Sequence, residues 1–189
     1  MPLNEIAERK AQQALTTRGH KEVVSILMKA YGDELYCFCQ SMLNNPSDAQ
    51  DVLQITFVQA FNGLDKFESK ASFRTWLYVI ARNRCLDEIK KAKRFDARME
   101  FTDEVPETDI SSIISSDLED DPFMRKVLLQ CMSKLSDSVR TALLLRFQSE
   151  YSYEEAAKIV QEKPGTLQAR VARALPTLRR CIEESGVSI

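Results

Sequence analysis

The chain has 189 residues, 44% of them apolar and 29% charged, with a formal net charge of −2. That apolar share is ordinary for a globular protein and excludes wholesale disorder. The longest uninterrupted apolar run, Trp76 to Ala81, is six residues, against the roughly 20 of a bilayer span, and Met1 to Lys10 lacks the apolar core of a secretory signal, so a cytoplasmic protein with no membrane insertion is expected.

Charge is unevenly spread. Residues 1–95 hold 14 Lys/Arg and 11 Asp/Glu, residues 96–121 hold one Arg and 10 acids, and residues 122–189 hold 11 Lys/Arg and 7 acids. Two mildly basic blocks flank an acidic stretch, so the whole-chain charge says nothing against nucleic-acid binding by either block.

Apolar residues recur at helical spacing and no segment sustains period-two alternation, which predicts an all-α fold. Leu3, Ile6, Ala7, Ala14 and Leu15 predict a short leading helix. Val23, Val24, Leu27 and Met28 begin a second pattern, continued by Leu35 to Leu43 after Gly32. Asn44 to Asp48 reads as a turn into a third helix, with Ser47 as candidate N-cap. Leu53, Phe57, Ala60 and Phe61 form its stripe, and Gly63 is expected to break it. Phe67 to Ser72 is a short polar loop, and Phe73 to Lys93 is the strongest helix, with Phe73, Trp76, Leu77 and Ile80 on one face. Periodicity then lapses over residues 96–121, which hold Pro106 and the acids. That stretch is too charged to bury a core and long for a loop inside one domain. Two small helical domains, 1–95 and 122–189, joined by a flexible acidic linker, are therefore expected.

In the second block Val127, Leu128, Leu129 and Met132 lie on one helix. Ser136 is expected to cap the next, which carries Val139, Leu143, Leu144 and Phe147. Ser152 to Glu155 has capping-box spacing ahead of Ala156, Ala157, Ile159 and Val160. A turn at residues 161–165 leads into a last helix bearing Arg170, Arg173, Arg179 and Arg180. Helix, short turn and arginine-bearing helix is the order of a helix-turn-helix, although other small helical bundles share it.

Enzyme motifs are missing: there is no Gly-rich phosphate loop, HExxH or GxSxG, and the lone histidine, His20, has no ligand partner at zinc spacing. No catalysis, metal or other cofactor is expected. The five cysteines (37, 39, 85, 131 and 181) form no CxxC pair and are expected as reduced, mostly buried thiols. Along residues 73–94, Asn83, Asp87, Lys90 and Arg94 form one stripe among further cations, with Phe67, Phe73, Trp76 and Tyr78 nearby. Cations interleaved with aromatics suit single-stranded DNA, where bases stack on rings and phosphates meet cations. The competing reading is an amphipathic helix with core aromatics and solvated charges, and it is preferred for Trp76, which shares the apolar face.

Residues Asp48 to Phe57, Ala60-Phe61, Leu64 to Phe67 and Phe73 to Asn83 resemble the second conserved region of bacterial extracytoplasmic-function sigma factors. Leu135-Ser136, Leu143 to Arg146, Tyr151 to Ala156 and Gly165-Thr166 are similar to the fourth region of the same family. The resemblance implies a protein that binds core RNA polymerase, directs it to promoters and helps open the DNA, held by an anti-sigma factor. It implies that Asp51, Gln54 and Val58 face the polymerase. The loop from Phe67, with Ser69, Lys70 and the following Arg74, would hold a base flipped from the minus-ten element, while Arg82, Asn83 and Asp87 read or position the duplex just upstream. Thr166, Gln168, Arg170 and Arg173 would meet the minus-thirty-five element in the major groove. By the same resemblance the linker would thread toward cationic channels of the polymerase, where its charge suits an RNA mimic, the alternative being an ordinary solvated spacer. Free in solution the two domains are expected to pack together and hide their DNA-facing surfaces.

Departures from the family pattern are Ile55 for Glu, Gln161 for Gly at the helix-turn-helix turn, and Gln168, Ala169 and Leu175 where Lys, Ser and Arg are common. Pro176 is expected to kink or end the last helix. These departures keep an alternative open: a sigma-like interaction protein that binds an anti-sigma factor without initiating transcription. A plain helix-turn-helix regulator would not explain the first block.

Overall fold

A computed structural model describes residues 3–17, 19–96 and 122–186, and every regular element among them is helical. The first block holds α1 (Leu3–Thr17), α2 (His20–Leu43), α3 (Pro46–Gly63) and α4 (Phe73–Asp96). The second holds α5 (Pro122–Ser133), α6 (Asp137–Leu143), α7 (Tyr153–Val160) and α8 (Pro164–Glu184). The expected linker, apart from Asp96 at the end of α4, lies outside the described residues.

Small residues seat α1. Ala7, Ala11 and Ala14 are buried on one face, which lets the helix lie close against α2. In α2, Val23, Leu27, Tyr31, Leu35, Phe38 and Met42 form one buried stripe that runs through Gly32 without a break. Asn44 ends it in the left-handed conformation, φ 54°, and returns its N–H to the Gln40 carbonyl. The N-cap of α3 is Asn45, not Ser47: its side-chain oxygen accepts from the Ser47 and Asp48 N–H groups at 2.9 and 3.3 Å, with Pro46 pre-set for the first turn. Gly63 closes α3 and leads into a 3-10 turn, Leu64–Lys66. A Cβ there would stand 3.2 Å from the Trp76 ring, so the residue serves a close approach of helix to indole.

The strongest predicted helix is buried on more than the expected face. Phe73 and Leu77 are in the core as expected, but so are Tyr78, Ala81 and Cys85, because α7 of the second block packs on α4. One continuous apolar core therefore runs through both blocks.

In the second block Ser136 stands at the N-cap of α6, but its hydroxyl makes no capping bond. After Leu143 the chain widens into a π-helical turn, Leu144–Gln148, in which Ser149 N–H donates to the Leu144 carbonyl at 2.9 Å. The wider turn changes the register. Thr141 to Leu145 are all buried, whereas Phe147, expected on the apolar stripe, is 57% exposed. The capping box forms in full: Ser152 Oγ accepts from Glu155 N–H at 3.2 Å, and Glu155 Oε2 accepts from Ser152 N–H at 2.9 Å. These bonds hold the Glu155 carboxyl below its ordinary pKa.

Gln161 does adopt positive φ, 60°, and its N–H caps α7 on the Ala157 carbonyl. Pro176 does not end α8, which continues to Glu184. Pro176 and Ala172, whose carbonyl it leaves unbonded, both lie on the exposed side, where water can take the bond. The expectation of five thiols is corrected as well. Cys131 of α5 and Cys181 of α8 are joined by a disulfide, and Cys37, Cys39 and Cys85 are free. Sequence spacing cannot show that the packing of α5 on α8 brings positions 50 residues apart together.

Candidate nucleic-acid interface

The residues expected to meet the minus-ten element gather around the start of α4. Phe67 stacks on Phe73 with ring centroids 4.1 Å apart and tilts against Trp76 at 5.1 Å, so an aromatic cluster floors the loop. Ser69 sits at φ 53°, in the left-handed region. Ser69 and Lys70 are exposed, with Lys70 paired to Glu68. Ser72 caps α4: its Oγ accepts from Thr75 N–H at 3.1 Å.

Arg74 points away from this loop. Its Nε and Nη2 donate to the two oxygens of Glu34 at 2.8 and 3.0 Å, and Nη2 donates to the Ser149 carbonyl of the second block at 2.7 Å. The guanidinium lies 4.2 Å from the Tyr151 ring centroid and 5.4 Å from that of Tyr78. Burial, the largest influence, works against its charge, but hydrogen bonding to Glu34 together with the attraction of Tyr151, Glu34 and Tyr78 outweighs it, so its pKa is raised.

Further along α4, Asn83 and Asp87 are exposed. Arg82 Nη1 donates to Asn83 Oδ1 at 3.2 Å, and Arg84 pairs with Asp87 at 3.4 Å. Arg82 is half-buried beside Glu162, and burial lowers its pKa while Glu162 opposes the shift. Lys93 pairs with Asp137 of α6 at 2.9 Å. Three cations of α4, at 74, 82 and 93, thus face the second block.

On α8, Thr166, Gln168 and Arg173 are exposed. Arg170 is engaged: both terminal nitrogens meet the Glu162 carboxylate, at 3.0 and 2.7 Å. Glu162, in the turn that precedes the helix, leaves no signature in the sequence because its partner lies eight residues on. On α3, Asp51, Gln54 and Val58 are all exposed, and Ile55 and Phe61 extend an apolar patch around Val58, which is 60% exposed.

No helix among the described residues is long and apolar enough to cross a membrane, and no group of three or more metal-ligating side chains occurs among them.

A helical block with an aromatic-floored loop and a basic helix is thus followed by a helix-turn-helix block. Residues 27–95 match Sigma-70 region 2 and residues 125–178 match Sigma-70 region 4. The chain is 30% identical over 175 residues to the ECF RNA polymerase sigma factor SigW of Bacillus subtilis, covering 88% of this chain and 92% of that protein. It is 28% identical over 174 residues to the RNA polymerase sigma-H factor of Pseudomonas aeruginosa, covering 88% and 89%. Among solved structures, CnrH in complex with the cytosolic domain of CnrY shares the fold, with a TM-score of 0.69 at 23% identity over 94% of this chain and 98% of that one. The sigma factor RpoE in complex with the anti-sigma factor NepR from Bartonella quintana aligns with a TM-score of 0.64 at 27% identity, over 79% and 89%. The chain belongs to the extracytoplasmic-function sigma factors.

Proposed function

We propose that this sigma factor binds core RNA polymerase through α3, reads the minus-ten element with the 67–72 loop and α4, and reads the minus-thirty-five element with α8. Residues 1–95 would serve as the region 2 domain, 96–121 as an acidic linker acting as an RNA mimic, and 122–189 as the region 4 domain. The factor works in the cytoplasm without enzymatic chemistry of its own, and an anti-sigma factor holds it until needed, as supported by the likeness to RpoE.

The observation that carries the reading is the patch of Ile55, Val58 and Phe61 on α3, apolar and yet exposed, with Asp51 and Gln54 beside it. Exposed apolar surface rimmed by polar groups marks a protein-binding site. Ile55, the departure from family Glu, adds to that patch. Val58→Glu would bury a charge without a partner in the complex and is expected to weaken core binding at least tenfold, measured by competition for core polymerase, while the melting temperature stays unchanged. Core affinity equal to wild type would remove α3 from the interface. The function itself is tested by run-off transcription on genomic fragments with sequencing of RNA 5′ ends. Starts that depend on the protein and share an upstream element are expected; their absence, with polymerase active on another sigma factor, would favour the sigma-like interaction protein.

The two arginines of α8 should behave differently. Arg173 is exposed, and Arg173→Ala is expected to lower the salt slope of promoter binding by about one. Arg170 must leave Glu162 to reach a phosphate, so Arg170→Ala should change the slope by less. Equal slopes for wild type and Arg173→Ala would take that residue off the DNA.

A further inference from the structure

Glu8 of α1 is 65 residues from Phe73 in sequence, yet its carboxylate sits at the N-terminus of α4. Glu8 Oε2 accepts from Phe73 N–H at 2.9 Å, and Oε1 accepts from Arg74 N–H at 3.0 Å and from the Tyr31 hydroxyl at 2.9 Å. Burial and the Glu8 carboxylate together keep the Tyr31 hydroxyl protonated, its pKa raised well above the ordinary value. One turn further along α1, Gln12 Oε1 is 3.5 Å from Ser69 Oγ at the tip of the loop.

The N–H groups of a helix's first turn have no partner inside it, and they carry the positive end of the helix dipole. Ser72 satisfies only the N–H of Thr75. Glu8 satisfies the other two, from outside, with a negative charge. The last residue of the loop is therefore fixed from two sides: Ser72 by its own cap and Phe73 by the leading helix. Because Phe73 is also the ring on which Phe67 stacks, the carboxylate sets both the exit of the loop and the aromatic floor beneath it.

We propose that Glu8 is a positioning residue for promoter recognition: through the Phe73 and Arg74 amides, the leading helix sets the shape of the 67–72 loop and hence its choice of base. The inference rests on the reading of that loop as the minus-ten recogniser. Flipping a base costs a few kcal/mol that pocket contacts must offset, so a small displacement of the pocket changes which base is accepted. Glutamine cannot replace the carboxylate. Its amide has a single acceptor oxygen, and its NH2 would meet a backbone N–H or the Tyr31 hydroxyl hydrogen.

The test uses full-length protein with core polymerase, on promoters carrying each of the four bases at every minus-ten position. For Glu8→Gln, initiation at the preferred base should fall about tenfold while the poorer bases lose less, so that the preference ratio flattens at least threefold. Tyr31→Phe should give a smaller change of the same kind. Core affinity and helix content should match wild type. A preference ratio unchanged in both Glu8→Gln and Glu8→Ala would overturn the proposal, even if total output falls, because simple loosening of α1 lowers output for all bases alike. A Ser69→Ala/Lys70→Ala double variant separates the two claims. If it shifts the preference and Glu8→Gln does not, the loop reading stands and the role of Glu8 fails. If neither shifts it, both fail.

Discussion

Arg74→Ala is expected to part the two helical blocks, seen as a rise in the radius of gyration in solution scattering and as faster amide exchange along the faces of α4 and α7 that now touch. The guanidinium joins Glu34 of α2 to the Ser149 carbonyl and lies over the Tyr151 ring, so one side chain spans the boundary. A hydrogen bond from a charged donor contributes about 1.5–3 kcal/mol, and a desolvated cation over an aromatic face about 1–2 kcal/mol. Together they amount to about 3 kcal/mol, or roughly a hundredfold in the closed-to-open ratio. Arg74→Lys keeps the charge but not the fork and should fall between. Tyr151→Leu removes the ring without orphaning Glu34, which separates loss of the contact from loss of first-block stability. Scattering curves unchanged in both Arg74→Ala and Tyr151→Leu would show that the latch lies elsewhere. The arrangement matters for order of events. On the proposed reading of α3 as the polymerase-docking face, that patch is open while Arg74 and Arg82 face the second block, so docking does not require the blocks to part, whereas freeing those two cations does.

Much of this was legible in the chain, and the reasons differ by element. The capping box at Ser152 was readable because both partners lie within four residues, and a local bond leaves a local signature. The helices α1 to α4 were readable because their apolar spacing repeats. What escaped reading depends on residues far apart. Glu8 looks like any acid on a polar helix face until α1 is laid across the start of α4. Arg74 carries the right charge for DNA, and only the packing of α7 on α4 shows it turned toward Ser149. A 3.6-residue period places Phe147 in the core, and the π turn at Leu144–Gln148 interrupts that period. At Pro176 the sequence shows a lost backbone bond but not that the freed carbonyl faces water.

Arg140→Met is expected to cost the most stability of any single change outside the apolar core, about 3 kcal/mol, with the second block melting more than about 10 °C lower. One guanidinium closes the ends of two helices. Its Nε donates to the Met132 carbonyl at 3.2 Å, Nη2 to the Ser133 carbonyl at 2.9 Å, and Nη1 to the Met42 carbonyl of α2 at 2.8 Å. The last carbonyls of a helix have no partner within it and carry the negative end of its dipole, so a buried cation there satisfies bonds and charge together. Burial lowers the Arg140 pKa, with Asp137 opposing the shift. Methionine keeps the apolar stem and removes every donor, so the Ser133 and Met42 carbonyls lose the guanidinium and the Met132 carbonyl keeps only the Leu135 N–H, in a half-buried site. Lysine, a single point charge, should recover part of the loss and not the whole. A loss below about 1 kcal/mol in chemical denaturation would mean that water replaces the guanidinium at all three carbonyls. Because the Met42 bond crosses between the blocks, Arg140→Met should also weaken their docking, at a point well separated in sequence from Arg74. Changes at sites that share no partner add, so the double variant Arg74→Ala/Arg140→Met should open the chain further than either alone.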